Sequence, residues 1–538
     1  MKNKLIKPGS YIFFKFIITP LMLIGVITSK GLFAQTAPIH NVTKLFKVHC
    51  AQCHSEHRLG GIGPALLPEN LKYLSRSEAI NIIRNGRSAT PMPAFKDKLG
   101  DKDIQSLVDF IYTPLAKIPD WNMANITASH VLYHKENSLP NKPILDVKDQ
   151  LNLIVVVERG DHHVSLLDGD TFNVVHRFKS RFSLYGEPKF SASGRFVYFS
   201  SRDGWISKYD IYNLKLVAEI RVGINTRNMA MSADGRYLMV ANALPHTLVL
   251  LNTRDLSPIK HYQVKDLQGK SSRVSAVYTS PPGNSFFAAL KDIPEVWEIS
   301  YADEPPHGFG MWMHDYRVDS GENTKNKPFP LRRVQVSEYL EDFFFAEDYI
   351  SFVGVTHAAK GQVIDMDVKK AIVPKIDLPG KPHFGSAVSL NYKGRKVLAV
   401  PNFRKGIISI LDMESWKQVK EIKTLGPGFY MQTHKNSPYI WTDVFFGPDK
   451  DAMHVIDKAT LEIVKTLRPA PGKKSAHVEF TRNGKNALVS IWDKQGEVII
   501  YDSVTLKEVK RIPMNSPSAK YNVFNQTIIL KTKNNHKN

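Results

Sequence analysis

Both cysteines of the chain fall in one pentapeptide, Cys50-Ala-Gln-Cys53-His54. Two thiols at this spacing can add to the vinyl groups of a haem while the next residue swings its imidazole onto the iron, which is the pattern of c-type haem attachment. The same Cys-x-x-Cys also serves redox dithiols and half-sites for zinc. Against these stand the absence of a second cysteine pair and a later segment, Thr90-Pro91-Met92-Pro93-Ala94-Phe95. A methionine thioether opposite histidine raises a haem's potential into the electron-transfer range. Met92 is therefore the expected second axial ligand, with flanking prolines to stiffen its loop, and His57 is the rival.

These groups need a small scaffold. Residues 77–85 and 101–112 carry apolar side chains at helical spacing, and Gly60-Gly61-Ile62-Gly63-Pro64 reads as a loop. Residues 40–115 are thus expected to form a small all-α cytochrome c domain carrying one covalent haem c.

The rest of the chain repeats. Val164-Ser-Leu-Leu-Asp168, Ile206-Ser-Lys-Tyr-Asp210, Leu248-Val-Leu-Leu-Asn252, Val296-Trp-Glu298, Gln362-Val-Ile-Asp365, Ile408-Ser-Ile-Leu-Asp412, His454-Val-Ile-Asp457 and Ile499-Ile-Tyr-Asp502 recur at steps of 42 to 47 residues, with one step of 67. That is the period of a four-stranded propeller blade. A second marker alternates with it: Ser191-Ala-Ser-Gly194-Arg195, Ser232-Ala-Asp-Gly235-Arg236, Asn391-Tyr-Lys-Gly394-Arg395 and Thr481-Arg-Asn-Gly484-Lys485 read as hairpin turns with glycine at the positive-φ position. Eight markers predict an all-β eight-bladed propeller over 130–538, with 303–327 as a loop inside the long step.

Residues 1–35 combine early lysines, an apolar run over 16–28 and small residues near a cut, the form of a signal peptide. The run is short for a membrane span, with an uncleaved anchor as the alternative, and export to the periplasm is expected. The formal charge of +21 falls to +16 once the five lysines of that segment are gone. Such a surplus suits an acidic redox partner, an anionic surface or a polycarboxylate ligand; export argues against nucleic acid. No cysteine is left over for a disulfide.

A c-type domain before an eight-bladed propeller resembles the cytochrome cd1 family, over residues 40 to 527. Arg159, Arg202-Asp203, Gly223-Ile-Asn-Thr-Arg227, Gly380-Lys-Pro-His383, Tyr430-Met-Gln-Thr-His434 and Lys520-Tyr521-Asn-Val-Phe-Asn525 are similar to the stretches that line the family's funnel. The resemblance implies a non-covalently bound haem d1, and Arg159, Arg202 and Arg227 would grip its carboxylates in two-point contacts.

Two branches of the family differ in chemistry. The nitrite reductases hold the haem d1 iron by a histidine in the loop before the first Ser-x-x-Gly-Arg turn and place two more above the other face. Here that loop, residues 184–189, has no histidine, one upper position is Glu341, and His383 alone remains. Together with Gly472-Lys-Lys-Ser-Ala-His477 and Tyr521, this resembles the dihydro-haem d1 dehydrogenases, which turn a propionate of the macrocycle into an acrylate. The resemblance implies His383 as axial ligand, His477 as base and Tyr521 as its hydrogen-bond partner or proton relay. Glu341 could be a second base or repel nitrite; His162, His163, His357 and His434 belong equally to surface or funnel. The expected partners are dihydro-haem d1, a periplasmic electron acceptor and an apo nitrite reductase receiving the product; no oligomeric state is prescribed. The alternatives are a nitric-oxide-forming nitrite reductase and a non-catalytic haem d1 carrier.

Overall fold

The computed structural model describes residues 39–531 apart from 62, 73, 88–91, 136–137, 305–327, 347–348, 350, 357–359, 367 and 369. The segment expected to be a signal peptide, most of the 303–327 insertion and His357 lie outside the described residues. Among those residues no helix is long and apolar enough to cross a membrane.

Five helices open the chain: α1 (Ile39–His49), α2 (Ala51–His54), α3 (Pro68–Leu71), α4 (Arg76–Asn85) and α5 (Asp101–Ile111). In α5 the buried residues Ile104, Leu107, Val108 and Ile111 recur on one face, the stripe a helix needs in order to pack on a core. They meet Phe46, Ile83 and Phe95. A capping box of Ser75 and Glu78 starts α4, which supplies partners for backbone N–H groups that have none within the helix.

Eight antiparallel sheets follow. Blades 2 to 8 each run in chain order from an inner to an outer strand, while blade 1 takes its inner strand, Pro517–Asn522, from the far end of the chain and adds Ile154–Glu158, His163–Leu167 and Val174–Lys179. This pairing closes the ring and leaves no open sheet edge between first and last blades. Helix α6 (Met123–Ala128) and the strand Val131–Leu132 precede it, the latter adding a fifth strand to blade 2 beside Glu219 and Ala218. Each of the eight repeated markers falls on the third strand of its blade. The four turn glycines, Gly194, Gly235, Gly394 and Gly484, have φ of +76°, +74°, +79° and +70°, a region that glycine enters without the Cβ penalty.

The blades are held by apolar layers between neighbours, as where Met239 and Leu250 of blade 3 meet Phe286 and Trp297 of blade 4. Each fully buried side chain of this size contributes about 1.5–3 kcal/mol. The helical domain sits on blades 2 and 3. Leu59, Ala65 and Leu67 pack on Ile224 and Leu244, and Asn70 Nδ2 donates to the Ile224 carbonyl at 2.8 Å. Arg221 donates to the Leu59 carbonyl and lies 4.8 Å from the Trp121 ring centroid.

Candidate functional site

The Cys-x-x-Cys-His segment is held where α1 runs into α2. Arg58 ties this region to the end of α5 by donating to the carbonyls of Phe110 at 2.5 Å and Thr113 at 3.0 Å. The His54 Nδ1 lies 2.7 Å from the Pro64 carbonyl; with its proton there, Nε2 keeps its lone pair for an iron. Gly63 lies flat on the imidazole, and a Cβ at that position would come within 2.6 Å of His54 Cε1. Met92 packs into the same cluster as Cys50 and Phe46, whereas His57 is exposed. Burial and the neighbouring Cys53 push the Cys50 thiol up to about 11, the reverse of the lowered pKa a redox dithiol uses. The donor set fits a covalent haem. Gly63→Ala forces the imidazole off this position and should cost about 1–3 kcal/mol, read as a lower unfolding temperature and a smaller yield of covalently bound haem.

In the propeller, three arginines from blades 1 to 3 gather around Tyr185, in the short loop before the two-residue inner strand of blade 2. The Arg202 guanidinium stacks 3.9 Å from the Tyr185 ring centroid, and Arg227 Nη1 donates to the Tyr185 hydroxyl at 2.5 Å. Burial raises the cost of ionising Tyr185, but Arg227 and Arg202 outweigh it and lower its pKa. The Arg159 pKa is lowered, first by burial and then by repulsion from Arg202, with Tyr430, Tyr185 and Arg87 also within electrostatic reach. Cations so crowded and desolvated favour a polyanion between them.

His383 precedes the inner strand of blade 6. Its Nδ1 is 2.7 Å from the Phe429 carbonyl, and the ring lies against Phe403 and Phe429, both at 4.5 Å between centroids. Burial lowers its pKa, partly offset by Asp342 and the Phe429 carbonyl. The residue as a whole is half-buried. Nε2 is again the nitrogen left for a metal, and the neighbouring Gly385 keeps that side open: a Cβ there would stand 3.3 Å from Nε2 and 2.8 Å from Asp342 Oδ2.

His477 lies on the inner strand of blade 8 (Ser475–Phe480), where the pairing slips between Ala476 and Val478. Its φ is +56°. A bulge re-aims a side chain, and a non-glycine residue in the left-handed region stores strain of the order of 1–3 kcal/mol that recurs at functional sites. The ring is edge-on to Tyr430 at 4.8 Å and to Tyr521 at 5.3 Å, and its buried Nδ1 has no hydrogen-bond partner. Burial and then Lys520 hold its pKa well below the usual histidine range.

Arg202 and Arg227 contact Tyr185, Arg159 is within electrostatic reach of Arg202 and Tyr430, Tyr430 and Tyr521 both pack on the His477 ring, and Arg227 is within electrostatic reach of His383. Glu341 is paired with Lys381 and lies 3.6 Å from Lys291. His163 lies 3.2 Å from Asp161, and His434 Nδ1 accepts from Asn436 N at 3.1 Å beneath the Gly484 turn. Sequence reasoning named the stretch containing Tyr430 and the loop containing Tyr185 but gave neither tyrosine a role, and it missed the aromatic wall of Phe403 and Phe429. It also missed Arg87, which reaches from the helical domain to within 5.5 Å of the Phe182 ring centroid.

The model of the cytochrome D1 heme domain matches residues 148–526, and that of cytochrome c oxidase, cbb3-type, subunit III, matches residues 37–111. The dihydro-heme d1 dehydrogenase of Pseudomonas aeruginosa is 48% identical over 483 residues, covering 90% of this chain and 93% of that protein. A nitrite reductase of Stutzerimonas stutzeri is 24% identical over 95% of this chain and 97% of its own. The solved structure of dihydro-heme d1 dehydrogenase NirN in complex with DHE superposes with a TM-score of 0.83 at 48% identity, covering 90% of this chain and 99% of that one.

Proposed function

The chain belongs to the cytochrome d1 haem-domain family, and from that premise we propose that it is an exported dehydrogenase that oxidises a propionate of dihydro-haem d1 to the acrylate of haem d1. The observation that carries this reading is the setting of His477: a desolvated imidazole with an unpartnered nitrogen, on a left-handed bulge between the rings of Tyr430 and Tyr521.

The arginines 159, 202 and 227 take the substrate's carboxylates, each charge-assisted pair contributing about 1.5–3 kcal/mol. His383 Nε2 binds the iron from one face. His477, neutral at pH 7, removes a carbon-bound proton from the saturated CH2–CH2 unit, and the electron pair of that C–H bond enters the conjugated ring. A second proton leaves by way of Tyr521, so that two protons and two electrons depart for each double bond formed. Cys50 and Cys53 would hold a haem c covalently, with His54 and Met92 as the residues that would bind its iron, and that group would supply one-electron transfer. The two electrons go on to a periplasmic acceptor, and the product passes to an apo nitrite reductase.

Two features weigh against nitrite reduction by this chain. The 184–189 loop offers Tyr185, engaged by Arg227, where the reductases have a histidine, and Glu341 is tied to lysines. A carrier would need the arginines and His383 but no base on a strained bulge.

The test uses the full-length protein with its haem c. Mixed with dihydro-haem d1 and a one-electron oxidant, it should shift the long-wavelength absorption to that of the acrylate chromophore as haem c is reduced. No shift ends the proposal. Nitric oxide from nitrite at respiratory rates would favour the reductase, and transfer of unoxidised macrocycle to an apo-reductase the carrier.

A further inference from the structure

Lys520 is fully buried, on the closing strand one residue before Tyr521. Its Nζ donates to the His477 carbonyl and, at 2.9 Å, to Ser490 Oγ. The slip between Ala476 and Val478 takes His477 out of the strand pairing, so its carbonyl needs a donor from elsewhere, and an unmet buried carbonyl is costly. An ammonium buried this deeply is itself costly unless paired. The charged and titratable groups within its electrostatic reach are Glu479 and His477 on the inner strand of blade 8 and Asp443 at the end of a blade 7 strand. Burial brings Lys520 down to about 7, with Glu479 and Asp443 acting the other way. Burial also lifts both carboxyls to about 7, against their backbone donors.

Building on the dehydrogenase reading, we propose that Lys520 is a positioning residue for the proton abstraction, its ammonium clamping the carbonyl of the His477 bulge so that the imidazole is aimed at the bound substrate. One strand thereby sets both members of the pair: residue 521 faces the imidazole ring, and residue 520 holds its backbone from behind. The proton that His477 takes is the one left when the C–H electron pair enters the macrocycle; Lys520 gains and loses no covalent bond.

The decisive variant is Lys520→Met, which keeps the length of the side chain and removes its donors. In the holoprotein it should bind dihydro-haem d1 with an unaltered ligation spectrum and oxidise it about tenfold to a hundredfold more slowly, the scale of loss from a misplaced reacting group. Because the lysine charge depresses the His477 pKa, its removal should also move the acid limb of the rate profile to higher pH. A wild-type rate and profile overturns the proposal. So does loss of the substrate spectrum together with the rate, which would make Lys520 a scaffold residue. If Lys520→Met does not fold, Ser490→Ala, which removes one of the two acceptors, decides: a smaller slowing in the same direction supports the proposal, and no change overturns it. If the wild type itself fails to oxidise dihydro-haem d1, the dehydrogenase reading falls. The clamp is then read from the Cε1–H resonance of His477 in 13C-histidine-labelled protein, whose titration should move to higher pH in Lys520→Met and whose constancy would overturn it.

Discussion

In the His477→Asn variant, oxidation of dihydro-haem d1 in a single turnover falls by about 10²–10⁴-fold, the usual contribution of a positioned general base, while substrate binding and the haem c spectrum stay as in the wild type. Asparagine is the informative replacement because it tolerates the left-handed backbone that His477 occupies at φ +56°; alanine would add a backbone penalty to the loss of the base. The effect is large because burial leaves His477 neutral and able to accept a proton at pH 7, and asparagine has no such capacity. Stopped-flow absorption at the macrocycle's long-wavelength band measures the rate. An unchanged rate with unchanged binding would remove His477 from the chemistry and leave Tyr521 as the remaining candidate.

The second large effect is on the iron. His383→Ala should abolish the optical signature of imidazole ligation in the bound macrocycle and weaken its binding by at least the tenfold to hundredfold that even outer partners of a metal site contribute. The direction follows from the tautomer: with Nδ1 against the Phe429 carbonyl, Nε2 is the atom presented to the metal, and Gly385 leaves that side open. Titration of the variant with dihydro-haem d1, followed optically, measures both. If the spectrum is that of the wild type, the iron is held from elsewhere, and the 184–189 loop with Tyr185 becomes the side to examine. His383→Asn is the fitting second variant, since its amide nitrogen takes the place of Nδ1 and keeps a donor to the Phe429 carbonyl but brings no imidazole.

Much of the architecture could be read without coordinates because it is written in local patterns. The haem-attachment pentapeptide is complete within five residues. The helical stripe of Ile104, Leu107, Val108 and Ile111 and the markers at each blade's third strand are periodicities, and a periodicity survives whatever the rest of the chain does. The turn glycines are equally local, since a positive φ is a property of one residue. The eight sheets follow from these signals almost directly.

The cluster built around Tyr185, Tyr430 and His383 is different in kind. Arg159, Arg227, His383, His477 and Tyr521 come from blades far apart in the chain, and their meeting depends on the strand at 517–522 pairing with the one at 154–158 to close the ring. Family resemblance could name the residues; it could not supply the left-handed bulge at His477, the lysine behind it or the tyrosines that join the two halves of the site. Those depend on a one-residue slip in strand pairing and on which side chain then reaches an unpaired carbonyl. From the sequence alone came the covalent haem site, the repeat and its number of blades. The setting of the His477 ring, the hydrogen bond that fixes His383 Nδ1 and the crowding of three cations around Tyr185 were decided by tertiary structure, because burial and hydrogen-bond partners are set by neighbours in space, and the neighbours that matter here lie hundreds of residues apart in the chain.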